Sequence, residues 1–164
     1  MAALVSGTAA PHFTLKDADG KSVSLAEALK NGPVLVAFFK VSCPTCQLAL
    51  PFIQRLHEAY GGANLTILPV SQDDAAGTRE FMAEFGVRLP VLLDNHGYAA
   101  SKSYGLTNVP SLFWISSDGS IQISSVGFSR ADLENISAEA ARATGKPVKS
   151  VFRLGERVPD FKPG

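Results

Sequence analysis

The chain has 164 residues, of which 46% are hydrophobic and 18% charged, and its formal net charge at pH 7 is zero. This length suits one domain that buries about 70% of the surface of its unfolded chain. The balanced charge argues against nucleic acid or an anionic membrane surface as a partner. The amino terminus lacks a basic n-region and an apolar h-region, and no stretch reaches bilayer-spanning length, which predicts a cytoplasmic protein without a membrane anchor. A leader removed beforehand would leave the same sequence, so a periplasmic location stays open.

Two short strands and a short helix are predicted in the first part of the chain. Residues 13–15 and 21–25 flank the turn-forming run Asp17-Ala18-Asp19-Gly20, a pattern typical of a β-hairpin. Ser24, with Glu27 three residues later, forms a capping box for the helix that follows.

The central stretch of the chain is a buried strand that leads into a Cys-x-x-Cys sequence and then a helix. The apolar run over residues 34–39 shows no alternation, as in a strand covered on both faces. Cys43 begins the helix, where unpaired backbone N–H groups and the helix dipole stabilise a thiolate, so we expect it to be the nucleophile. Cys46 follows on the same helical face within disulfide reach and is the expected resolving thiol. Pro44 suits the first helical turn because its missing N–H has no helical partner there.

The two cysteines could instead belong to a zinc site or serve only in packing. A zinc site requires about four ligands, but the chain has only these two cysteines, and His12, His57 and His96 form no ligand-like pair. Free cysteines are often buried for packing alone. A redox role is favoured because the strand, the Cys-x-x-Cys and the helix occur together. Neither a metal nor another cofactor is predicted beyond the cysteine pair itself.

Strands and helices then alternate up to a closing hairpin and a last helix. The predicted elements are a strand over 65–70, a helix from Asp73 or Asp74 to Glu84, an extended piece over 90–94, a short helix over 99–104, hairpin strands over 110–115 and 120–126, and a helix over 130–144. Pro69 fits best at the exit of its strand, because proline cannot donate a ladder hydrogen bond. The order predicts an α/β domain over residues 1–146, with a mixed sheet covered by helices on both faces. Residues 147–164 form a C-terminal tail.

Five motifs together resemble the thioredoxin-like superfamily, and within it the redoxin branch that includes the alkyl-hydroperoxide-reductase and thiol-specific-antioxidant proteins. The motifs are residues 10–15, residues 38–46, Pro51, residues 90–94 and residues 108–113. The resemblance covers about residues 7–145. It implies a thioredoxin-like three-layer α/β/α fold, with a central mixed sheet and an N-terminal β-hairpin extension.

The resemblance also assigns a substrate-binding role to residues around the cysteines. It implies that the Val109–Pro110 peptide bond is cis and packs beside the cysteine pair. In the family, the backbone at this proline pairs with an extended substrate segment, which is a form of strand addition. Val109, Pro110, Pro44 and Thr45 are therefore the predicted substrate-binding residues.

Three departures from the family pattern affect the predicted chemistry. Ser42 stands where thioredoxins usually have tryptophan, and Ala37 and Ala49 stand where relatives carry an acid that relays a proton to the second cysteine. Lys40 is an unusual charge just before the active-site loop. It would lower the pKa of Cys43 if its ammonium pointed at that thiol, but a solvated lysine at the strand end is equally compatible with the sequence.

The sequence therefore favours a thiol–disulfide oxidoreductase, most simply a disulfide reductase, in which Cys43 attacks and Cys46 resolves. Its expected partners are protein or small-molecule disulfides and thiols, together with a thioredoxin-type reducing system. The alternative is a thiol peroxidase with Cys43 peroxidatic and Cys46 resolving, although the peroxiredoxin pattern Pro-x-x-x-Thr/Ser-x-x-Cys fits neither cysteine. A third alternative is a binding module with incidental cysteines. The oligomeric state stays open.

A short repeat lies near the end of the chain. Residues 155–161 repeat the Gly-x-x-x-Pro-x-Phe spacing of residues 7–13. The repeat is compatible with the beginning of a further redoxin segment, with a tail that folds beside the first copy, and with chance.

Overall fold

A computed structural model describes residues 3–164, which are organised around a seven-stranded sheet. Its strands are β1 (Thr14–Asp17), β2 (Ser22–Ser24), β3 (Val34–Phe39), β4 (Thr66–Ser71), β5 (Leu92–Leu93), β6 (Ser111–Ile115) and β7 (Ile121–Val126); β8 (Phe128–Ser129) and β9 (Phe161–Lys162) form a separate pair. The helices within the described residues are α1 (Leu25–Leu29), α2 (Pro44–Tyr60), α3 (Ala75–Phe85), α4 (Ala99–Ser103) and α5 (Arg130–Thr144).

The sheet is mixed, with the strand that leads to the cysteines near its centre. The spatial order is β2-β1-β5-β4-β3-β6-β7. β3 pairs in parallel with β4 and antiparallel with β6, and the β1–β2 hairpin lies at one edge. The predicted α/β class, mixed sheet and N-terminal hairpin are confirmed.

Strand β3 is buried on both faces because helices cover both sides of the sheet. Leu35, Ala37 and Phe39 point into a core shared with α2, α3 and α5. The alternate residues of β3 point into a second core with residues of α1 and α4. Phe39 stacks near Phe81 of α3 at 4.9 Å between ring centroids on the first face. This double coverage explains the unbroken apolar run in the sequence.

Pro69 lies inside β4, opposite Ala37 of β3, rather than at the exit of the strand as predicted from its missing N–H. The reason is the short length of the neighbouring strand. β5 pairs only with Val70 and Ser71, so at Pro69 the strand has no ladder to maintain on that side. A proline is tolerated where one side of a strand is an edge.

The C-terminal tail is packed against the domain. Val151 and Phe152 are buried, and the Phe152 ring lies 4.9 Å from that of Phe52 in α2. Arg55 forms a bidentate ion pair with Glu156, with both N···O distances 2.7 Å. The tail then runs to β9, which pairs antiparallel with β8.

The two copies of the Gly-x-x-x-Pro-x-Phe spacing take different positions. The first copy lies along residues 119–121 and ends in the buried Phe13. The second ends in Phe161, which pairs with β8 and leaves 57% of its surface exposed. The second copy therefore does not fold beside the first.

Candidate active site

Cys43 is placed at the beginning of α2 by the end of β3 and a short loop. It is the N-cap residue of the helix, with φ −85° and ψ 115°. Its sulfur accepts a hydrogen bond from the backbone N–H of Cys46 at 3.2 Å, and its own N–H donates to the carbonyl of Lys40 at 3.2 Å. A cap residue normally satisfies one of the orphan N–H groups of the first turn, and here a sulfur performs that task. The same N–H group would stabilise negative charge on this sulfur.

Cys46 lies behind Cys43 and has no solvent-exposed surface. Both cysteines are free thiols in this structure. Burial raises the pKa of Cys46 far above its usual value, and the hydrogen bond with the Cys43 side chain acts in the same direction. Cys46 is thus held as a neutral thiol, while Cys43 is the thiol that is partly open to solvent.

The loop before β6 completes the surroundings of Cys43. The Val109–Pro110 peptide bond is cis, in agreement with the expectation from the resemblance. The carbonyl of Val109 accepts a hydrogen bond from the Cys43 thiol at 3.4 Å, and Pro110 is buried. The loop is also held from within, because the hydroxyl of Ser111 donates to the carbonyl of Asn108 at 2.7 Å.

The remaining predicted site residues differ in their surroundings. Pro44 is exposed at the first turn of α2, whereas Thr45 is buried and its hydroxyl donates to the carbonyl of Pro163 in the C-terminal tail at 2.7 Å. Lys40 is exposed, and it contacts Cys43 through its backbone carbonyl. The proposed effect of Lys40 on Cys43 stays a prediction.

Asp73 also contributes to this site, although its position in the sequence predicts only a helix cap. Of the two aspartates after β4, Asp74 caps α3 by accepting from the N–H of Gly77 at 2.9 Å. Asp73 instead turns back and accepts from the backbone N–H of Val41, in the loop before Cys43, at 2.8 Å. The signal in the sequence was the Asp-Asp pair itself, because one helix N-cap uses only one of two neighbouring carboxylates.

Asp73 and Gln47 together fix the backbone of this loop. The side-chain amide of Gln47 donates to the carbonyl of Val41 at 3.1 Å, while Asp73 accepts from its N–H. Both polar groups of one loop residue are thereby satisfied by side chains from different elements. The negative charge of Asp73 also contributes to the raised pKa of Cys46, after burial and the interaction with Cys43.

The chemistry of the site comes from its two thiols. Among residues 3–164, no group of three or more histidine, cysteine, aspartate or glutamate side chains is arranged to hold a metal ion. None of the helices in the same residues combines the length and apolar character needed to cross a membrane. One partly exposed thiol and one buried thiol at the N-terminus of a helix are arranged to exchange with a disulfide.

Curated relatives include both disulfide oxidoreductases and peroxiredoxins. The thiol–disulfide oxidoreductase ResA of Bacillus thuringiensis is 28% identical over 116 residues, which cover 70% of this chain and 66% of that protein. The chain therefore spans slightly less than two thirds of the length of this relative. The chloroplastic peroxiredoxin Q of Oryza sativa subsp. japonica is 35% identical over 102 residues, which cover 61% of this chain and 46% of that protein.

A solved structure shares the fold of this chain, and a family profile identifies its family. A putative thiol:disulfide interchange protein DsbE from Chlorobium tepidum superimposes with a TM-score of 0.75 at 25% identity, and the match covers 87% of this chain and 99% of that one. This likeness confirms the thioredoxin-like α/β fold expected from the sequence. The profile of the Redoxin family matches residues 5–141, which is most of the chain. The chain therefore belongs to the Redoxin family.

Proposed function

We propose that this protein is a thiol–disulfide oxidoreductase that acts through Cys43 and Cys46. The observation that carries the proposal is the hydrogen bond from the Cys46 N–H to the Cys43 sulfur at 3.2 Å, beside a carbonyl of the cis-proline loop. It places a partly exposed sulfur at the positive end of α2, with a second thiol directly behind it. The similarity to ResA and DsbE proteins supports the same chemistry.

The reaction proceeds in two exchange steps. The Cys43 thiolate attacks one sulfur of a substrate disulfide, forms a bond to it, and releases the other substrate sulfur as a thiolate. Cys46 then loses its proton and attacks the Cys43 sulfur, which expels the second substrate sulfur and leaves a Cys43–Cys46 disulfide. Two electrons have passed to the substrate. Because Cys46 is buried and protonated, its deprotonation belongs to the second step rather than the first.

The direction of net exchange depends on the compartment and its reducing partners. In the cytoplasm, the location predicted from the sequence, a thioredoxin-type system would return the Cys43–Cys46 disulfide to the dithiol, and the protein would act as a reductase. In a periplasm the Cys43–Cys46 disulfide would oxidise substrate dithiols, or a partner protein would reduce it so that it could reduce substrate disulfides. The substrates are protein or small-molecule disulfides and thiols.

A thiol peroxidase is the second candidate, and one observation favours it. The peroxiredoxin Q of rice is 35% identical over the matched residues. Against it stands Lys40, three residues before Cys43, where the peroxiredoxin pattern has threonine or serine. In this mechanism Cys43 would be peroxidatic and Cys46 resolving.

Paired stopped-flow kinetics on the reduced protein separates the two candidates. One series offers insulin as a protein disulfide and the other offers hydrogen peroxide, with Cys43→Ser and Cys46→Ser proteins as controls. The proposal predicts fast oxidation by insulin, lost in Cys43→Ser, and slow reaction with peroxide. Fast peroxide consumption that Cys43→Ser abolishes, with slow oxidation by insulin, would replace the reductase with the peroxidase. If neither reagent reacted quickly, the binding module would become the better account.

A further inference from the structure

The last residues of the chain lie in the same place as the predicted substrate-binding residues. Segment 160–164 begins where the N–H of Arg130 donates to the carbonyl of Asp160 at 2.9 Å. It continues as β9 along β8 and ends beside the first turn of α2 and the cis-proline loop. The segment therefore contacts residues that surround the cysteine pair.

Two side-chain donors bind successive main-chain oxygens of this segment. The hydroxyl of Thr45 donates to the carbonyl of Pro163 at 2.7 Å, and the side-chain amide of Asn108 donates to the main-chain oxygen of Gly164 at 3.2 Å. Thr45 immediately precedes Cys46, and Asn108 immediately precedes Val109, whose carbonyl accepts from the Cys43 thiol. Both donors bind backbone oxygens of an extended polypeptide and contact none of its polar side-chain groups.

The close approach depends on glycine on both sides. A Cβ atom on Gly164 would overlap the carbonyl oxygen of Val109 and lie 2.8 Å from its carbonyl carbon. A Cβ atom on Gly127 would lie 2.7 Å from the carbonyl oxygen of Lys162. Gly127 also has φ +81° and donates its N–H to the carbonyl of Pro110 at 2.8 Å. The segment thus meets the site backbone to backbone.

The segment is held less firmly than the chain that precedes it. Residues Val151 and Phe152 are buried in the core, and Glu156 is paired with Arg55. Beyond them, Phe161 is 57% exposed, and Pro163 and Gly164 are exposed. A stretch held by a few hydrogen bonds opens locally at a smaller free-energy cost than the packed core. Segment 160–164 can therefore detach from the residues around the cysteine pair while Val151, Phe152 and Glu156 stay in place.

We propose that segment 160–164 is a resident occupant of the groove formed by Thr45, Asn108 and Val109, and that it must leave before a polypeptide disulfide reaches Cys43. We call this blocking segment the gate. The proposal rests on the proposed function, because a segment in the groove slows turnover only if substrates bind there. Occupation reduces the apparent affinity for a substrate by the fraction of molecules in which the groove is open. A small reagent that needs only the exposed side of the Cys43 sulfur does not need this displacement.

A substitution in the segment itself tests the gate without altering the groove. Gly164→Val would force the end of the segment away from Val109, and Gly164→Ala is a milder version of the same change. Leu154→Ala is the matched control, because Leu154 belongs to the same C-terminal tail but its side chain is fully exposed to solvent. The reduced proteins, each comprising residues 1–164, are compared in three reactions: with insulin, with fluorescein maleimide as a bulky thiol reagent, and with iodoacetamide as a small one.

The gate predicts faster reaction of Gly164→Val with the two bulky probes. Each net hydrogen bond lost corresponds to roughly a fivefold shift in the opening equilibrium, so the rates with insulin and fluorescein maleimide should rise at least about fivefold. The iodoacetamide rate, and all three rates of Leu154→Ala, should stay within about twofold of the wild-type values. Unchanged or slower rates of Gly164→Val with both bulky probes would overturn the gate.

The gate and the proposed function fail in different ways. If insulin is reduced at the same rate by all the proteins and the maleimide rates are also equal, the function stands and the gate is wrong. If no protein reduces insulin but Gly164→Val reacts faster with the maleimide, the segment still covers the groove and the proposed function is wrong.

Discussion

Replacing Cys46 with alanine should remove much of the protein's loss of stability at alkaline pH. Burial holds the pKa of Cys46 in the folded protein far above 9.0, whereas the thiol ionises near 9.0 when the chain is unfolded. Above that pH the folded state keeps a proton that the unfolded state releases, so rising pH favours unfolding. The stabilising contribution is complete below 9.0 and is lost as the pH rises above it.

The size of the effect follows from proton linkage. For a thiol that stays protonated in the folded state, the loss of unfolding free energy is about 0.4 kcal/mol at pH 9 and about 1.4 kcal/mol at pH 10. Cys46→Ala also loses about 1 kcal/mol or more through the small cavity it creates, but that loss does not vary with pH. Burial raises the pKa of Tyr104 as well, and because both proteins contain Tyr104 its contribution cancels in the comparison.

Urea unfolding followed by far-ultraviolet circular dichroism measures this difference. Wild type and Cys46→Ala are unfolded with a non-thiol reductant present at several pH values from about 7 to 10, so that the thiols stay reduced. The stability gap between them should narrow by about 1.4 kcal/mol by pH 10. If the unfolding free energies of the two proteins changed in parallel over the whole pH range, Cys46 would ionise as readily in the folded protein as in the unfolded chain. The assignment of Cys46 as a buried, protonated thiol would then be wrong.

Three further substitutions test the tail and the loop before Cys43. Phe152→Ala should lower the unfolding free energy by about 3 kcal/mol, because it removes a buried ring from the core. Glu156→Gln should flatten the loss of stability in acid: Arg55 lowers the pKa of Glu156 from 4.5 to about 2, so its contribution is present above 4.5 and is lost as the pH falls through 2. Solvent exposure limits that contribution to about 1 kcal/mol or less. Asp73→Ala should cost about 1–2 kcal/mol by leaving the Val41 N–H without its acceptor, and Asp73→Asn should recover most of it.

Chemical denaturation checks all three, with acid titrations added for Glu156→Gln. A loss under about 1 kcal/mol in Phe152→Ala would show that the tail does not contribute to the core. If Glu156→Gln and wild type lost stability equally in acid, the Arg55–Glu156 ion pair would not contribute to the pH dependence of stability. If Asp73→Asn were as unstable as Asp73→Ala, the hydrogen bond to Val41 would not be the source of the effect.

Local signals in the sequence were sufficient for most of the framework. The apolar run of β3 gave no alternation because both of its faces are buried, and this marked the strand correctly as central. Ser24 accepts a hydrogen bond from the backbone N–H of Glu27, as their spacing predicted, and Ser129 accepts one from the N–H of Asp132 in the same arrangement. Each of these features depends on residues close together in the chain.

The parts that the sequence could not supply depend on contacts between distant residues. The Asp-Asp pair indicates that one of the two carboxylates does not cap α3, but it does not indicate that Asp73 reaches Val41, because that contact requires β3 and β4 to lie side by side. The β8–β9 pair joins residues 128–129 to residues 161–162, and β9 is only two residues long, so it has no recognisable periodicity. Pro69 was predicted at the end of its strand because proline cannot donate a hydrogen bond to a neighbouring strand. That reasoning does not apply here, because β5 is too short to pair with β4 at Pro69.

Trapping the mixed disulfide is the most direct test of the central claim that Cys43 attacks and Cys46 resolves. Reduced Cys46→Ser protein is mixed with insulin, quenched in acid, digested and examined by mass spectrometry for cross-linked peptides. The mechanism predicts an accumulating adduct in which the disulfide joins insulin to Cys43, and no such accumulation with wild type, where Cys46 expels the substrate. Rapid loss of the adduct from Cys46→Ser, or an adduct formed at Cys46 in the Cys43→Ser protein at a comparable rate, would contradict the assignment of the two thiols.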